Sequence, residues 1–239
     1  MLVFILPSLV LPSNSLNNKR LETLVDQVKN HVKSLFANSE GSHDWHHIER
    51  VWNIAKMLHE KEGGTLQIIE LASLLHDISD HKYNGGDYEK GAAETKSLLL
   101  SLGSEAQLAE DVSKIVSQIS YKGAFVPDIK GGIELSIVRD ADRLDAIGAI
   151  GIARAFAYGG SKNRALFSPE ITHVLHESKE EYLKNEGHTI NHFYEKLFLL
   201  KDRMETPTAK DIAESRHQVM VDFVRQFLEE WNVKRSIPN

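Results

Sequence analysis

Cysteine is absent from the 239 residues, which excludes thiol catalysis, disulfides, iron–sulfur clusters and Cys-type zinc sites. Excess positive charge is also missing. Twenty-eight Lys and Arg stand against 34 Asp and Glu, a formal charge of -6. That balance argues against broad nucleic-acid or anionic-membrane binding, yet leaves room for a small anion held by a few local cations. No G-x-G-x-x-G, G-x-x-x-x-G-K-[ST] or G-x-S-x-G pattern occurs, so a dinucleotide-binding turn, a P-loop and a nucleophile elbow have no support. Sustained polar–apolar alternation bounded by turn residues is lacking too, and no β-sheet is expected. Long hydrophobic runs are missing as well. The apolar start MLVFILPSLVLP is too short for a membrane span, is broken by Pro7 and Pro12, and has no basic residues before it. Residues 1–18 are expected to be a disordered extension, with a targeting role as the alternative, and the protein is expected to be cytoplasmic.

What is present is helical. The 41% hydrophobic and 26% charged residues are ordinary for a globular protein, and the length suffices for a sizeable core. Leu21, Leu24, Val25, Val28, Val32 and Leu35 form one stripe of period 3.6. Leu108, Val112, Ile115 and Ile119 form a second, and Ile212, Ala213, Met220, Phe223, Val224, Phe227 and Trp231 a third. Ser168-Pro169 and Thr206-Pro207 each offer an N-cap followed by proline at the first helical position. Gly-Gly pairs at 63–64, 85–86, 131–132 and 159–160 read as helix stops and turns. The small residues Gly148, Ala149, Gly151, Ala153 and Ala157 read as a close helix-packing face. These signals give one all-α domain of roughly eight to eleven helices over residues 19–232, with a tail at 233–239.

Residues 66–77, LQIIELASLLHD, are apolar nearly all round until they close on His76-Asp77. Carrying an imidazole and a carboxylate into the interior unpaired is unfavourable by several kcal/mol, roughly, so the pair needs partners or a metal. His47 lies in HDWHHIERV, where Asp44, His47 and Arg50 share one helical face, and Asp142 lies in SIVRDADRLDAIGAIG. Two imidazoles and two carboxylates suit a divalent ion such as Mn, Fe, Co, Ni, Zn or Mg, and four protein ligands leave positions open for water and substrate.

Taken in order, H…HD…D together with HDWHHIERV, LASLLHDISDHKYNGGD, ISYKGA and VRDADRLDAIGAIGIARAFAYGG resembles the HD superfamily of metal-dependent phosphohydrolases, in particular small stand-alone bacterial-type members. The resemblance covers about residues 40–232 and implies an HD-domain-like orthogonal helical bundle. It assigns the metal to His47 (not His43 or His46), His76, Asp77 and Asp142, with manganese the first expectation. Asp140 and Asp145 are left to orient neighbours, and Asp44 and Asp145 to hold the ligating groups from behind. It also implies that Asp80, three residues after Asp77, shuttles a proton.

Around that core the reading adds substrate contacts. Lys82, in the polar loop with Asp80, is placed to neutralise a phosphate oxygen, the alternative being an ordinary charged loop; His81 could recruit a second ion. Arg50, Lys122, Tyr121 and Arg143 are the candidate substrate-binding residues. Lys122 and Gly123 can equally be read as a helix C-terminus. The expected substrate is a small nucleotide. Members that this chain resembles suggest cleavage of a nucleoside triphosphate to the monophosphate and pyrophosphate, with a 5'-nucleotidase acting on monophosphates as the alternative. A di-iron oxygenase and a non-catalytic nucleotide or metal sensor are the readings from other classes.

Overall fold

A computed structural model describes residues 22–37, 44–78, 88–121, 123–175 and 187–232. It is 71% helical, with nine helices and no strand among the described residues. These are α1 (Leu24–Leu35), α2 (Trp45–Glu62), α3 (Leu66–Leu75), α4 (Tyr88–Ser101), α5 (Ala106–Gln118), α6 (Ile133–Asp145), α7 (Gly148–Ser161), α8 (Thr189–Glu195) and α9 (Pro207–Trp231). Short 3₁₀ turns at Leu197–Leu199 and Lys201–Arg203 lead into α9. The proposed extension at 1–18 and tail at 233–239 lie outside the described residues.

Local chemistry sets the helix starts. Thr23 and Asp26 exchange hydrogen bonds in a capping box at α1, and Thr206 caps α9 ahead of Pro207. One apolar core runs from Val28 and Val32 of α1 through Ile48, Val51, Leu71 and Leu75 to Val138, Leu144, Met220 and Val224. In it α2 lies against α3 and α6, α4 pairs with α5, and α7 packs on α9.

Several expected boundaries move. Helix α3 ends at Leu75, so His76-Asp77 form the turn beyond it rather than its last residues. No helix starts at Ser168-Pro169 among the described residues. That strand of chain is held by α8 instead, with the Ile171 carbonyl accepting from His188 Nε2 and Asn191 Nδ2, and Val174 N donating to Glu195. Gly131-Gly132 precede α6 rather than stop a helix, and Gly159-Gly160 lie within α7. Gly159 is there for contact: a Cβ would sit 2.3 Å from Thr189 Oγ1 of α8. The expected small-residue packing face is only partly one, because Ala149, Ala153 and Ala157 are exposed while Gly148 meets the Arg216 stem of α9. The pair at 85–86 lies outside the described residues.

Candidate metal centre

Helix α6 organises the polar interior. Its Leu135, Ile137, Val138, Ala141 and Leu144 face the core, while Asp142 and Asp145, three apart, turn toward α2 and the end of α3. The facing helix brings His47 in its first turn. That turn is fixed by Asp44, whose carboxylate accepts from His47 N at 2.9 Å as the N-cap of α2.

Four side chains meet there. His47 Nε2 stands 3.2 Å from His76 Nε2, 3.4 Å from Asp77 Oδ2 and 3.6 Å from Asp142 Oδ1. His76 Nε2 is 3.5 Å from Asp77 Oδ2 and 3.8 Å from Asp142 Oδ1. The opposite ring nitrogens are already engaged. His76 Nδ1 donates to the Ser73 carbonyl at 2.8 Å, and His47 Nδ1 donates to Asp145 Oδ2 at 2.7 Å. A carbonyl can only accept, so the His76 proton sits on Nδ1 and its Nε2 lone pair looks into the cluster.

Two imidazole nitrogens and two carboxylate oxygens thus crowd together, each carboxylate oxygen within 3.8 Å of both imidazoles. One proton can serve one such pair, over a long contact; it cannot bridge four acceptors. A divalent cation can. Ligands side by side on an ion with bonds of about 2.1 Å stand about 3 Å apart, so the observed 3.2–3.8 Å separations need little contraction. His47, His76 and Asp142 offer ligand atoms within 4.8 Å of one another, a group able to hold a metal ion. The C-termini of α3 and α6 both end at the cluster, and their partial negative charge favours a cation.

Electrostatics are dominated by Asp145. Burial raises its carboxyl, but hydrogen bonds from His47 and Arg50 and the charges of His47 and Arg154 outweigh that, holding it far below the usual carboxylate range. Arg50 grips it with Nε at 2.6 Å and Nη2 at 3.1 Å, and Arg154 adds Nη1 at 2.7 Å. Burial and Arg154 push the His47 pKa down, yet the hydrogen bonds to Asp145 and Asp77 prevail and it lies above 6.5. Asp142 is lowered because His76 and His47 outweigh its burial.

The remaining expected residues divide. Arg50 is beside the cluster, gripping Asp145. Arg143 is not available to a substrate: it is buried, with Nη1 on the Arg203 carbonyl and Nη2 on Asp128, each at 2.6 Å, holding the loop before α6. Tyr121 is buried, its hydroxyl 3.4 Å from the Glu195 carbonyl and its ring under the Arg203 guanidinium. Asp140 accepts from Glu205 N, Thr206 N and Thr206 Oγ1, anchoring the start of α9. Asp80, His81, Lys82 and Lys122 lie outside the described residues. Sequence reasoning passed over Arg154, although a lone cation inside the apolar run GIARAFAY needs a buried carboxylate and was a legible signal.

The all-helical core with this H…HD…D cluster defines a class. The HD domain family model matches residues 44–147. The chain belongs to that family, the metal-dependent HD hydrolases. It is 36% identical over 203 residues to YpgQ of Bacillus subtilis, covering 84% of this chain and 90% of that protein. A Lactobacillus plantarum crystal structure superposes with a TM-score of 0.81 at 35% identity, covering 89% of this chain and 98% of the other. An HD-superfamily hydrolase from Bacillus thuringiensis gives 0.66 at 40% identity, covering 87% and 96%. YpgQ has itself been solved in complex with ADP, with a TM-score of 0.65 at 34% identity over 86% of this chain and 96% of the other.

Proposed function

We propose that His47, His76, Asp77 and Asp142 hold one divalent ion, manganese first, and that the enzyme hydrolyses a nucleoside triphosphate to the monophosphate and pyrophosphate. The observation that carries the reading is the crowding of two imidazole nitrogens and two carboxylate oxygens, each carboxylate oxygen within 3.8 Å of both imidazoles. When bound, a divalent ion there supplies an acidified water and polarises a phosphoryl oxygen.

The chain's own residues do the rest. Ser73 and Asp145 fix the two imidazoles with Nδ1 protonated, so both Nε2 atoms remain acceptors. Asp44 holds the first turn of α2 and thus the height of His47. The reading gives Asp80 the proton passed to or from the phosphate and gives Lys82, Lys122 and Arg50 the charge on its oxygens. A polyphosphate can engage several cations where a monophosphate engages fewer, which favours the triphosphate. The ADP complex of YpgQ supports a nucleotide with linked phosphates.

The test is hydrolysis of a dNTP in ¹⁸O-labelled water with Mn, Mg, Co and Ni in turn. Label on the monophosphate with intact pyrophosphate is expected. Orthophosphate released from a dNMP, with triphosphates inert, would replace this reading with a 5'-nucleotidase.

A further inference from the structure

Asp145 Oδ2 is over-subscribed. It receives His47 Nδ1 at 2.7 Å, Arg154 Nη1 at 2.7 Å and Arg50 Nη2 at 3.1 Å, while Oδ1 takes Arg50 Nε alone at 2.6 Å. A guanidinium fork gripping a carboxylate prefers two similar bonds. Arg50's grip is lopsided because Oδ2 is drawn off toward His47 and Arg154. The two arginines come from different helices, α2 and α7, and pull the carboxylate in competing directions. Without the pull from α7, Asp145 is free to settle into an even fork with Arg50 and turn Oδ2 off the imidazole.

We infer that Arg154 is a positioning residue of the metal centre: by holding Asp145 Oδ2 against His47 Nδ1, it keeps the His47 ring oriented with Nε2 toward the ion. The inference rests on the metal reading above. Its effect is expected in metal affinity, not in substrate contact. Groups that orient a ligating imidazole typically change metal affinity about 10- to 100-fold when removed. A purely electrostatic role gives the opposite sign, because deleting a nearby cation tightens the binding of another.

The experiment is Mn(II) titration of the metal-free protein followed by EPR, on the parent, Arg154→Met and Arg154→Lys. Arg154→Met should bind Mn(II) about tenfold more weakly, with kcat at saturating metal within a few-fold of the parent and nucleotide KM within about threefold. Arg154→Lys, which keeps the charge and one donor, should recover part of the loss. Unchanged or tighter Mn(II) binding by Arg154→Met overturns the inference. So does an unchanged metal affinity with a tenfold rise in KM, which would make Arg154 a substrate contact. Should Arg154→Met not fold, Arg154→Lys carries the test: binding about two- to fivefold weaker supports the role, and parental binding overturns it. A parent that binds no Mn(II) overturns the metal reading as well. A parent that binds it while the variants bind equally well overturns only the role given to Arg154.

Discussion

Helix α6 carries two sets of buried charge, and they are built on opposite rules. Arg139, Asp140 and Arg143 are matched by opposite partners. Arg139 gives its terminal nitrogens to Glu205 and to the Gln118 and Ile129 carbonyls, Arg143 binds Asp128, and Asp140 collects donors from the start of α9. Asp142, in the same stretch of helix, faces His47 and His76 instead, and both imidazoles also lie beside Asp77. Matched charge closes a structure, whereas imidazoles gathered on two carboxylates suit a cation. Substitutions on one set should therefore separate from substitutions on the other.

The largest expected effect is on the side of the His–carboxylate cluster. His76→Ala or Asp77→Ala removes one of the four proposed ligands, and turnover should fall to the protein-free background without lowering the melting temperature of the metal-free protein. Calorimetry of both metal-free variants, beside a nucleotide hydrolysis assay, checks the pair of outcomes. On the matched side the pattern inverts. Arg139→Met removes the charge partner of Glu205 and the donors to the Gln118 and Ile129 carbonyls, which should destabilise the fold by about 3 kcal/mol and lower the melting temperature by about 10 °C. Metal affinity of the folded protein should stay at the parental value, as Mn(II) titration at low temperature would show.

The third expectation concerns pH. The His47 pKa lies above 6.5 in the folded metal-free protein. A raised pKa contributes stability that is fully present below pH 6.5 and is lost as pH rises through the folded value. The metal competes for the same nitrogen. Melting temperature of the metal-free protein should thus fall over that window, while Mn(II) affinity rises, by up to about tenfold per pH unit for one displaced proton. Melting curves with and without Mn(II) between pH 6 and 9 check both slopes. The smallest effect is expected from Thr206→Ala, which removes the α9 cap and one donor to Asp140. About 1 kcal/mol and about 3 °C should be lost, with turnover unchanged in a steady-state assay.

The contrast also explains what the sequence made legible. Leu24 to Leu35 of the first stripe lie on α1, Leu108 to Ile115 of the second on α5 and the third on α9, because a 3.6 period of apolar residues needs only a core to face; Leu21 lies outside the described residues. His76-Asp77 stood out because an apolar run ending in two polar groups is a local anomaly. The partners of Arg143 are illegible in sequence for the same reason as those of Arg139 and Asp140. A buried ion pair is defined by its partner, and Asp128 and Arg203 come from other segments. The place of Tyr121 under Arg203 is equally illegible, since it is set by the turn before α9. The end of α3 at Leu75 and the passage of α7 through Gly159-Gly160 are tertiary outcomes: Ser73 holds the His76 ring, and Thr189 needs the space over Gly159. Periodicity carries no information about either.

The central claim is that convergence of four acceptors makes the cation site, and anomalous scattering tests it most directly. Crystals grown with Mn(II) should show one strong peak at the manganese edge, about 2.1–2.3 Å from His47 Nε2, His76 Nε2 and carboxylate oxygens of Asp77 and Asp142. A peak elsewhere, or no peak among these four groups at saturating Mn(II), would contradict the account.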